Sequence, residues 1–413
     1  MKKLNAIDLF AGCGGLSEGF LQSGKFEFLA HVEWELPMVN TLRENLTSRW
    51  NHSHSDALKR VIHFDIQKTE ELINGNWKND TDLLYKNTNS EVVRKGGLSE
   101  LIGNEEVDVI IGGPPCQAYS IAGRAQDPNS MKNDYRNYLF ESFVKVVATF
   151  KPKVFVFENV PGILSAKPGG IPVIDRIYDA FQSIGYEIRS PEIMKNSVYS
   201  SADYEVPQER KRVIIVGISN DTNIELEDYY NILDSMKSKN EKLTVRDAIY
   251  NFPKLIPLDN IVKIGNKNIS HGHVDEDIEV DLHIPRYHNM RDMEIFGQWV
   301  RDGMNRMSSQ EKLNFYYEKT GKNSNHNKYR NLEWDKPSPT IVSHLYKDGL
   351  MFIHPDSNQK RSITIREAAT LQSFPLDYIF KGSNAYCFKM IGNAVPVTFS
   401  KYIGLAVWKL IEG

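Results

Sequence analysis

The sequence predicts an α/β fold in which a Rossmann-like, mostly parallel sheet is covered by helices, with a smaller irregular domain attached. Three observations support this prediction. Strand-like and helix-like segments alternate through the first 220 residues, a glycine-rich turn follows the first strand, and the alternation fades between 221 and 360. The chain has 413 residues, which is enough for about two domains.

Short apolar runs bounded by turn residues predict the strands of the sheet. They are Leu4–Phe10, Glu27–Glu33, Val61–Phe64, Val107–Ile111, Val154–Phe157 and Arg212–Ile218. Helices are predicted between them: one after the glycine turn that ends at Gly24, and others at Pro37–Leu46, Tyr138–Phe150 and Val173–Ser183. This order of elements is typical of a sheet built from βαβ units.

Two segments interrupt the alternation. Residues 66–106 are polar with weak periodicity, and we expect a surface insertion that is partly helical. From 221 to 360 Asn, His, Lys and Tyr accumulate, as in a domain with irregular loops. Helical patterns return at Ser362–Ser373 and Val395–Ile411. We therefore expect one domain from 1–220 and 388–413, and a second from 221–387.

Composition excludes several classes of protein. The chain is 41% hydrophobic and 25% charged, as in soluble globular proteins, and it has no run of 18 apolar residues, so we expect no membrane span. Three separated cysteines without a CxxC pair predict neither a disulfide framework nor zinc, and His271 and His273 lack the companions of a metal site. A reducing cytosol fits best. The net charge of −3 does not favour a nucleic-acid partner, but a local basic patch would decide that question.

One cysteine stands where a sheet enzyme places its chemistry. Gly113-Pro114-Pro115-Cys116-Gln117 follows the predicted strand Val107–Ile111. Ligands of open α/β sheets bind at the carboxyl ends of the strands, and the two prolines restrict the backbone before the thiol. A thiolate is a strong nucleophile near neutral pH. Cys116 is therefore a candidate nucleophile rather than a packing residue.

The ends of the first three strands predict a cofactor site. The first strand runs into Asp8-Leu9-Phe10-Ala11-Gly12-Cys13-Gly14-Gly15, but Ser17 stands where a dinucleotide fingerprint needs its third glycine. Glu33-Trp34 ends the second strand, where an acid can accept ribose hydroxyls, and Asp65-Ile66 ends the third. Each acid alone could be a helix cap. Together, without a phosphate-binding loop, they favour S-adenosylmethionine over a nucleotide.

With these residues joined, the chain resembles a DNA (cytosine-5) methyltransferase of the bacterial restriction-modification type. The resemblance covers about the first 220 and the last 50 residues, with six motifs in the family's order. They are Asp8–Gly15, Gly113–Gln117, Glu158-Asn159-Val160, Gln208–Arg212, Arg366–Pro375 and Gly392-Asn393-Ala394-Val395. Residues 221–360, which match only at Pro339-Thr340-Ile341, occupy the place of the family's target recognition domain.

The resemblance implies roles for particular residues. Cys116 would add to carbon 6 of a cytosine extruded from the duplex, Glu158 would act at ring nitrogen 3, and Arg210 and Arg212, on one side of a strand-like run, would bind the base oxygen and a phosphate. Cofactor contacts are expected from Phe10, Gly12, Gly14, Gly15, Glu33, Trp34, Asp65, Ile66, Pro115, Leu139 and Asn393. DNA contacts are expected from Gln117, Ser120, Arg124, Thr340, Lys322, Lys328 and Arg330.

These expectations describe a monomer that methylates double-stranded DNA with S-adenosylmethionine and without a metal, and whose target a cognate restriction endonuclease would share. Two other hypotheses remain open. An RNA cytosine methyltransferase would keep the chemistry and change the substrate, although the long variable segment argues against it. A DNA-binding protein that keeps the cofactor without turnover is disfavoured by the presence of Cys116, Glu158 and both arginines. The target sequence cannot be read from residues 221–360.

Overall fold

A mostly parallel sheet forms the centre of the computed structural model, which describes residues 2–115, 139–274 and 280–413. Its strands lie in the order β3-β2-β1-β4-β5-β9-β6, with β7 beside β9. The first five of these are parallel, whereas β9 runs antiparallel to β5. Their bounds are β1 Leu4–Leu9, β2 Phe26–Glu33, β3 Val61–His63, β4 Val109–Gly112, β5 Val154–Asn159, β6 Tyr186–Glu187, β7 Val198–Ser200, β8 Gln208–Glu209 and β9 Lys211–Ser219.

Helices cover both faces of this sheet and build the remainder of the described chain. They are α1 Gly15–Gln22, α2 Leu36–Trp50, α3 His54–Arg60, α4 Thr69–Asn74, α5 Asn79–Tyr85, α6 Glu91–Ile102, α7 Leu139–Phe150, α8 Val173–Ser183, α9 Leu226–Ser235, α10 Val245–Ile249, α11 Met290–Arg301, α12 Ser309–Thr320, α13 Ile365–Leu371, α14 Asn384–Asn393 and α15 Val397–Glu412. A hairpin, β10 Leu255–Ile264 with β11 Lys267–His273, and the short β12 Ser338–Pro339 complete the strands. The predicted α/β class is confirmed, and each predicted sheet strand ends within two residues of the observed one.

The predicted insertion packs on the sheet through a few apolar side chains, while most of its residues are exposed or half-buried. Residues 66–106 form α4, α5 and α6 as well as a short 3-10 turn, Lys86–Thr88. Leu72, Val93 and Leu98 are fully buried against the sheet. The segment is helical in part, as predicted, and its contact with the sheet was not evident because a few apolar residues at helical spacing are diluted there by many polar ones.

The start of the second predicted domain also packs on the sheet. Helix α9 contributes Leu226, Tyr229 and Leu233 to the core shared by the sheet and α15. Further along, a separate small core gathers α11, α12 and their neighbours around Trp299 and Phe315. The packing therefore changes after α9 rather than at residue 220.

One helical stretch among the described residues is long and apolar enough, by length and composition, to cross a membrane. It is Asn384–Glu412, and 56% of its most apolar window is buried inside the protein. The stretch comprises α14 and α15, which are separated at Ala394-Val395-Pro396. Such burial is typical of a core helix.

Candidate active site

The carboxyl ends of five parallel strands meet along one edge of the sheet. Leu9 lies opposite both Val32 and Gly112, and Gly112 lies opposite Phe157. At the outer end of this edge Glu33 lies opposite His63. The strand register therefore brings the predicted cofactor residues and the segment before Cys116 to the same side of the molecule.

The glycine turn after β1 has a backbone that few side chains would allow. Phe10, Gly12 and Gly14 have φ values of 58°, 57° and 89°. A Cβ at Gly12 would meet nothing within 4 Å, so the turn is open above that residue. Gly15 differs, because a Cβ there would lie 2.5 Å from the carbonyl oxygen of Val395. Gly12 thus faces free space, whereas Gly15 allows close packing of two backbones.

Glu33 ties the turn to the end of β2. Its Oε2 accepts the Gly12 N–H at 2.8 Å, and its Oε1 accepts the N–H groups of Trp34 and Glu35 at 2.9 and 2.8 Å. Burial raises the pKa of Glu33 to about 7, against the effect of these three donors, which favour the carboxylate. A carboxylate offers about four acceptor positions, so there is still room for a hydroxyl donor.

The neighbouring residues suit an adenosine group. Trp34 is 52% exposed, which is unusual for so large an apolar ring. Asp65 accepts the Gln67 N–H at 3.0 Å and stays partly accessible, and Ile66 beside it is buried. An exposed ring, an apolar side chain, an accessible carboxylate and an open glycine turn thus lie on one edge of the sheet. Of the other predicted contacts, Pro115 is half-buried, Leu139 is buried at the start of α7, and Asn393 is exposed at the end of α14.

A buried ion pair lies beside the segment that leads to Cys116. Arg212 Nε lies 2.6 Å from Glu158 Oε1, and both side chains are 11% exposed. A Cβ at Gly113 would lie 2.6 Å from Glu158 Oε2, so only glycine allows this approach. Cys116 itself lies outside the described residues.

Asn159, to which the sequence analysis gave no role beyond its place in the Glu158-Asn159-Val160 motif, is a further functional candidate. Its Nδ2 donates to the Pro114 carbonyl at 3.2 Å, and its Oδ1 accepts the Val160 N–H at 2.9 Å. The side chain is almost fully buried. It fixes the backbone two residues before Cys116. The available signal was a polar amide directly after a strand-end carboxylate.

The two arginines have different partners, contrary to the expectation that they act side by side. Arg210 is buried and donates to the carbonyl of Ile341 at 2.6 Å and to that of Gly392 at 3.0 Å. Gln208 holds the same segment, because its Oε1 accepts the Ile341 N–H at 2.9 Å. Arg210 therefore joins two backbone segments, while Arg212 pairs with Glu158. The alternation of Arg210 and Arg212 with Lys211 in the sequence did not indicate that only Arg212 contacts the Glu158 carboxylate.

The predicted DNA contacts are spread over different environments. Lys322 is exposed and Lys328 is half-exposed, with its Nζ 2.9 Å from His326 Nε2. Arg330 is half-buried, with its guanidinium over the Phe352 ring, and Thr340 donates to the Glu209 carbonyl at 2.7 Å. The remaining predictions, Gln117, Ser120 and Arg124, lie outside the described residues.

Comparison with known proteins identifies relatives over nearly the whole chain. The sequence model of the family described as C-5 cytosine-specific DNA methylase matches residues 4–409. The Type II methyltransferase M.Bpa9945I of Bacillus paralicheniformis is 35% identical over 98% of this chain and 99% of its own length. The Type II methyltransferase M1.HphI of Haemophilus parahaemolyticus is 30% identical over 98% of this chain and 87% of its own. The crystal structure of the S. pombe Dnmt2 methyltransferase shares the fold, with a TM-score of 0.55, 14% identity and 99% coverage of both chains.

Proposed function

This chain belongs to the C-5 cytosine-specific DNA methylase family, and on that premise we propose that Cys116, Glu158 and Arg212 form its catalytic centre. The protein is an enzyme that methylates carbon 5 of cytosine in DNA, and the methylation depends on S-adenosylmethionine. The observation that carries the residue assignment is the Glu158–Arg212 ion pair packed against Gly113, three residues before Cys116.

The proposed chemistry makes carbon 5 nucleophilic by covalent addition. The Cys116 thiolate forms a bond to carbon 6 of the cytosine, and the displaced electron pair makes the ring an enamine. S-adenosylmethionine, when bound, would supply the methyl group that bonds to carbon 5, and would leave as S-adenosylhomocysteine. A base, which we take to be water, then removes the carbon 5 proton. The electron pair of that C–H bond re-forms the ring double bond, and Cys116 leaves as a thiolate.

Glu158 and Arg212 act together on the ring. Glu158 shares or donates a proton at ring nitrogen 3, which offsets the charge that develops when the sulfur adds. Arg212 orients that carboxyl group through their ion pair and presents its remaining N–H groups to the base oxygen. We assign Arg210 a positioning role instead, since its guanidinium holds the backbone at Ile341 and Gly392.

For the cofactor we propose contacts at the edge formed by β1, β2 and β3. Glu33 accepts ribose hydroxyls, Asp65 accepts from the adenine amino group, and Trp34 and Ile66 pack on the ring. Phe10, Gly12 and Gly14 form the turn beneath it, while Pro115, Leu139 and Asn393 close the sides. We remove Gly15 from direct contact, because its lack of a side chain is explained by the close approach of Val395.

For the DNA we propose that the target cytosine leaves the duplex, because its carbon 5 is inaccessible while stacked. The recognition unit begins after α9, which packs on the sheet, and presents Lys322 and Lys328 to the duplex. We further propose a monomer in the bacterial cytoplasm that protects host DNA from a cognate endonuclease. The names of the Type II relatives support this setting.

Replacement of the nucleophile tests the mechanism. Cys116→Ser should lower turnover at least ~10³-fold and keep binding of cofactor and DNA, because only the covalent step is removed. The control is Cys387→Ala, which removes a buried thiol in α14.

Wild-type protein should also form a covalent complex with 5-fluorocytosine duplex DNA, and Cys116→Ser should not. Near-normal turnover of Cys116→Ser would refute the assignment of Cys116 as the nucleophile. Methylation of tRNA rather than duplex DNA would refute DNA as the substrate. Bisulfite sequencing of the host's DNA would identify the target.

A further inference from the structure

His63 lies between the proposed cofactor edge and the segment that follows α5. It is the last residue of β3, opposite Glu33 and two residues before Asp65. Its Nε2 lies 3.0 Å from the Trp34 carbonyl oxygen, and its Nδ1 lies 2.8 Å from Thr88 Oγ1. One imidazole thus connects the end of β2 to the 3-10 turn Lys86–Thr88.

The chemistry of these contacts fixes the protonation of the ring. A carbonyl oxygen can only accept, so Nε2 must carry a proton. Burial lowers the pKa of His63, which favours the neutral ring near neutral pH. In the neutral ring Nδ1 is then an acceptor, and the Thr88 hydroxyl, which also lies 3.0 Å from the Tyr85 carbonyl oxygen, is shared between these two acceptors. Both nitrogens are used within the protein, so His63 does not act as an acid or base toward a substrate.

The same segment also holds the rest of the β3 end. Asn89 exchanges two hydrogen bonds with the backbone of His63, each 2.9 Å long. The Tyr85 ring packs edge-on against His63 at a centroid distance of 5.2 Å. Arg43 from α2 donates to the Thr88 carbonyl at 2.7 Å and fixes the turn from the other side. The side chains of Asn89 and Tyr85 therefore converge on His63, next to the end of β2 and two residues before Asp65.

We propose that Tyr85, Thr88, Asn89 and His63 form a cofactor-edge support, which positions the ends of β2 and β3 for S-adenosylmethionine without touching it. This rests on the proposed cofactor site. It gives residues 66–106 a function that the sequence left unassigned: α5 and the turn after it support the adenosine-binding edge. His63 is a positioning residue, because it acts through the Trp34 backbone and through the backbone before Asp65.

The expected consequence is confined to cofactor binding. Loss of the imidazole removes two hydrogen bonds that hold Trp34 and Thr88 in place, and the freed backbone must be ordered again when the ligand binds. The Kd and KM for S-adenosylmethionine should rise roughly 10-fold, whereas kcat at saturating cofactor and the KM for DNA should stay near wild-type values. A general structural defect would lower kcat and thermal stability as well.

The test uses full-length protein and titration calorimetry with S-adenosylmethionine, alongside methyl-transfer kinetics. His63→Leu should show the 10-fold loss, while His63→Gln should recover most of it, because an amide can donate to Trp34 and accept from Thr88. Thr88→Val removes the other end of the contact and serves if His63→Leu fails to fold. The matched control is His54→Leu, an exposed position in α3.

The outcomes separate this inference from the cofactor assignment beneath it. Glu33→Gln changes the proposed ribose contact directly. If Glu33→Gln weakens binding while folded His63→Leu and Thr88→Val bind normally, the cofactor-edge support is overturned and the cofactor site stands. If Glu33→Gln binds normally, the cofactor site itself is misplaced. Failure of His63→Gln to recover affinity would also overturn the proposed hydrogen-bonding role.

Discussion

Among single residues, Glu33 should make cofactor affinity depend on pH. Its carboxyl titrates near 4.5 in an unfolded chain and at about 7 in the folded protein, because burial disfavours the charge. The contribution of the protonated Glu33 carboxyl to the free energy of unfolding is therefore fully present below pH 4.5 and is lost as the pH rises toward 7. Hydroxyl donors of a ribose favour the opposite, ionised form. The Kd for S-adenosylmethionine should accordingly rise as pH falls below about 7, by up to tenfold per unit, which calorimetry at several pH values would measure.

Glu33→Gln provides the control for this pH dependence. The amide cannot ionise, so its weaker binding should be flat between pH 5.5 and 8. A wild-type Kd that is equally flat across this range would contradict the assignment of Glu33 to the ribose.

The sequence located the strand-end carboxylates correctly because a short apolar run followed by an acid is a local pattern. Glu33 and Glu158 both stand where the runs predicted them. The partners of the arginines were not predictable in the same way. Arg210 binds carbonyl groups at Ile341 and Gly392, more than 130 residues away in sequence, and no local spacing encodes such contacts. The roles proposed for these side chains stay predictions until they are tested.

At the level of elements, α1 depends on Gly19 for its close contact with α15. A Cβ at Gly19 would lie 2.4 Å from the Val397 carbonyl oxygen and 2.5 Å from the Lys401 nitrogen. Backbone atoms cannot move aside cheaply, so Gly19→Ala should force the helices apart and lower the free energy of unfolding by ~1–3 kcal/mol. Urea denaturation would measure this change. Lys409→Ala on the exposed side of α15 should change it little, and an equally small effect of Gly19→Ala would contradict the packing argument.

The helices between β3 and β4 show where sequence patterns lose information about packing. Phe64 packs against Trp77 and Tyr85, with tilted rings, at centroid distances of 4.9 and 5.1 Å, which anchors the segment to the sheet. Two aromatic residues among many Asn, Lys and Glu residues do not produce a clear periodicity. The strands were predictable because nearly every residue in them is buried. Short helices with one buried face need their tertiary partners before their position can be known.

For the whole molecule, the charge balance sets how DNA binding should respond to salt. Fifty basic and 53 acidic side chains give a net charge of −3, so attraction to a polyanion must come from a local basic surface. If the protein contacts 6–10 phosphates, raising the salt concentration from 50 to 200 mM should lower its DNA affinity roughly 10³- to 10⁵-fold. Lys322→Ala and Lys328→Ala should each reduce the slope of log K against log salt by about 1. The control is Lys59→Ala. Lys59 lies just before β3, at the amino ends of the strands and away from the site, so this change should leave the slope unchanged. Fluorescence anisotropy with a duplex that contains the target would measure these slopes. A wild-type affinity that is flat in salt would contradict a phosphate-bound duplex, and unchanged slopes in both lysine variants would move the DNA surface away from the segment that follows α12.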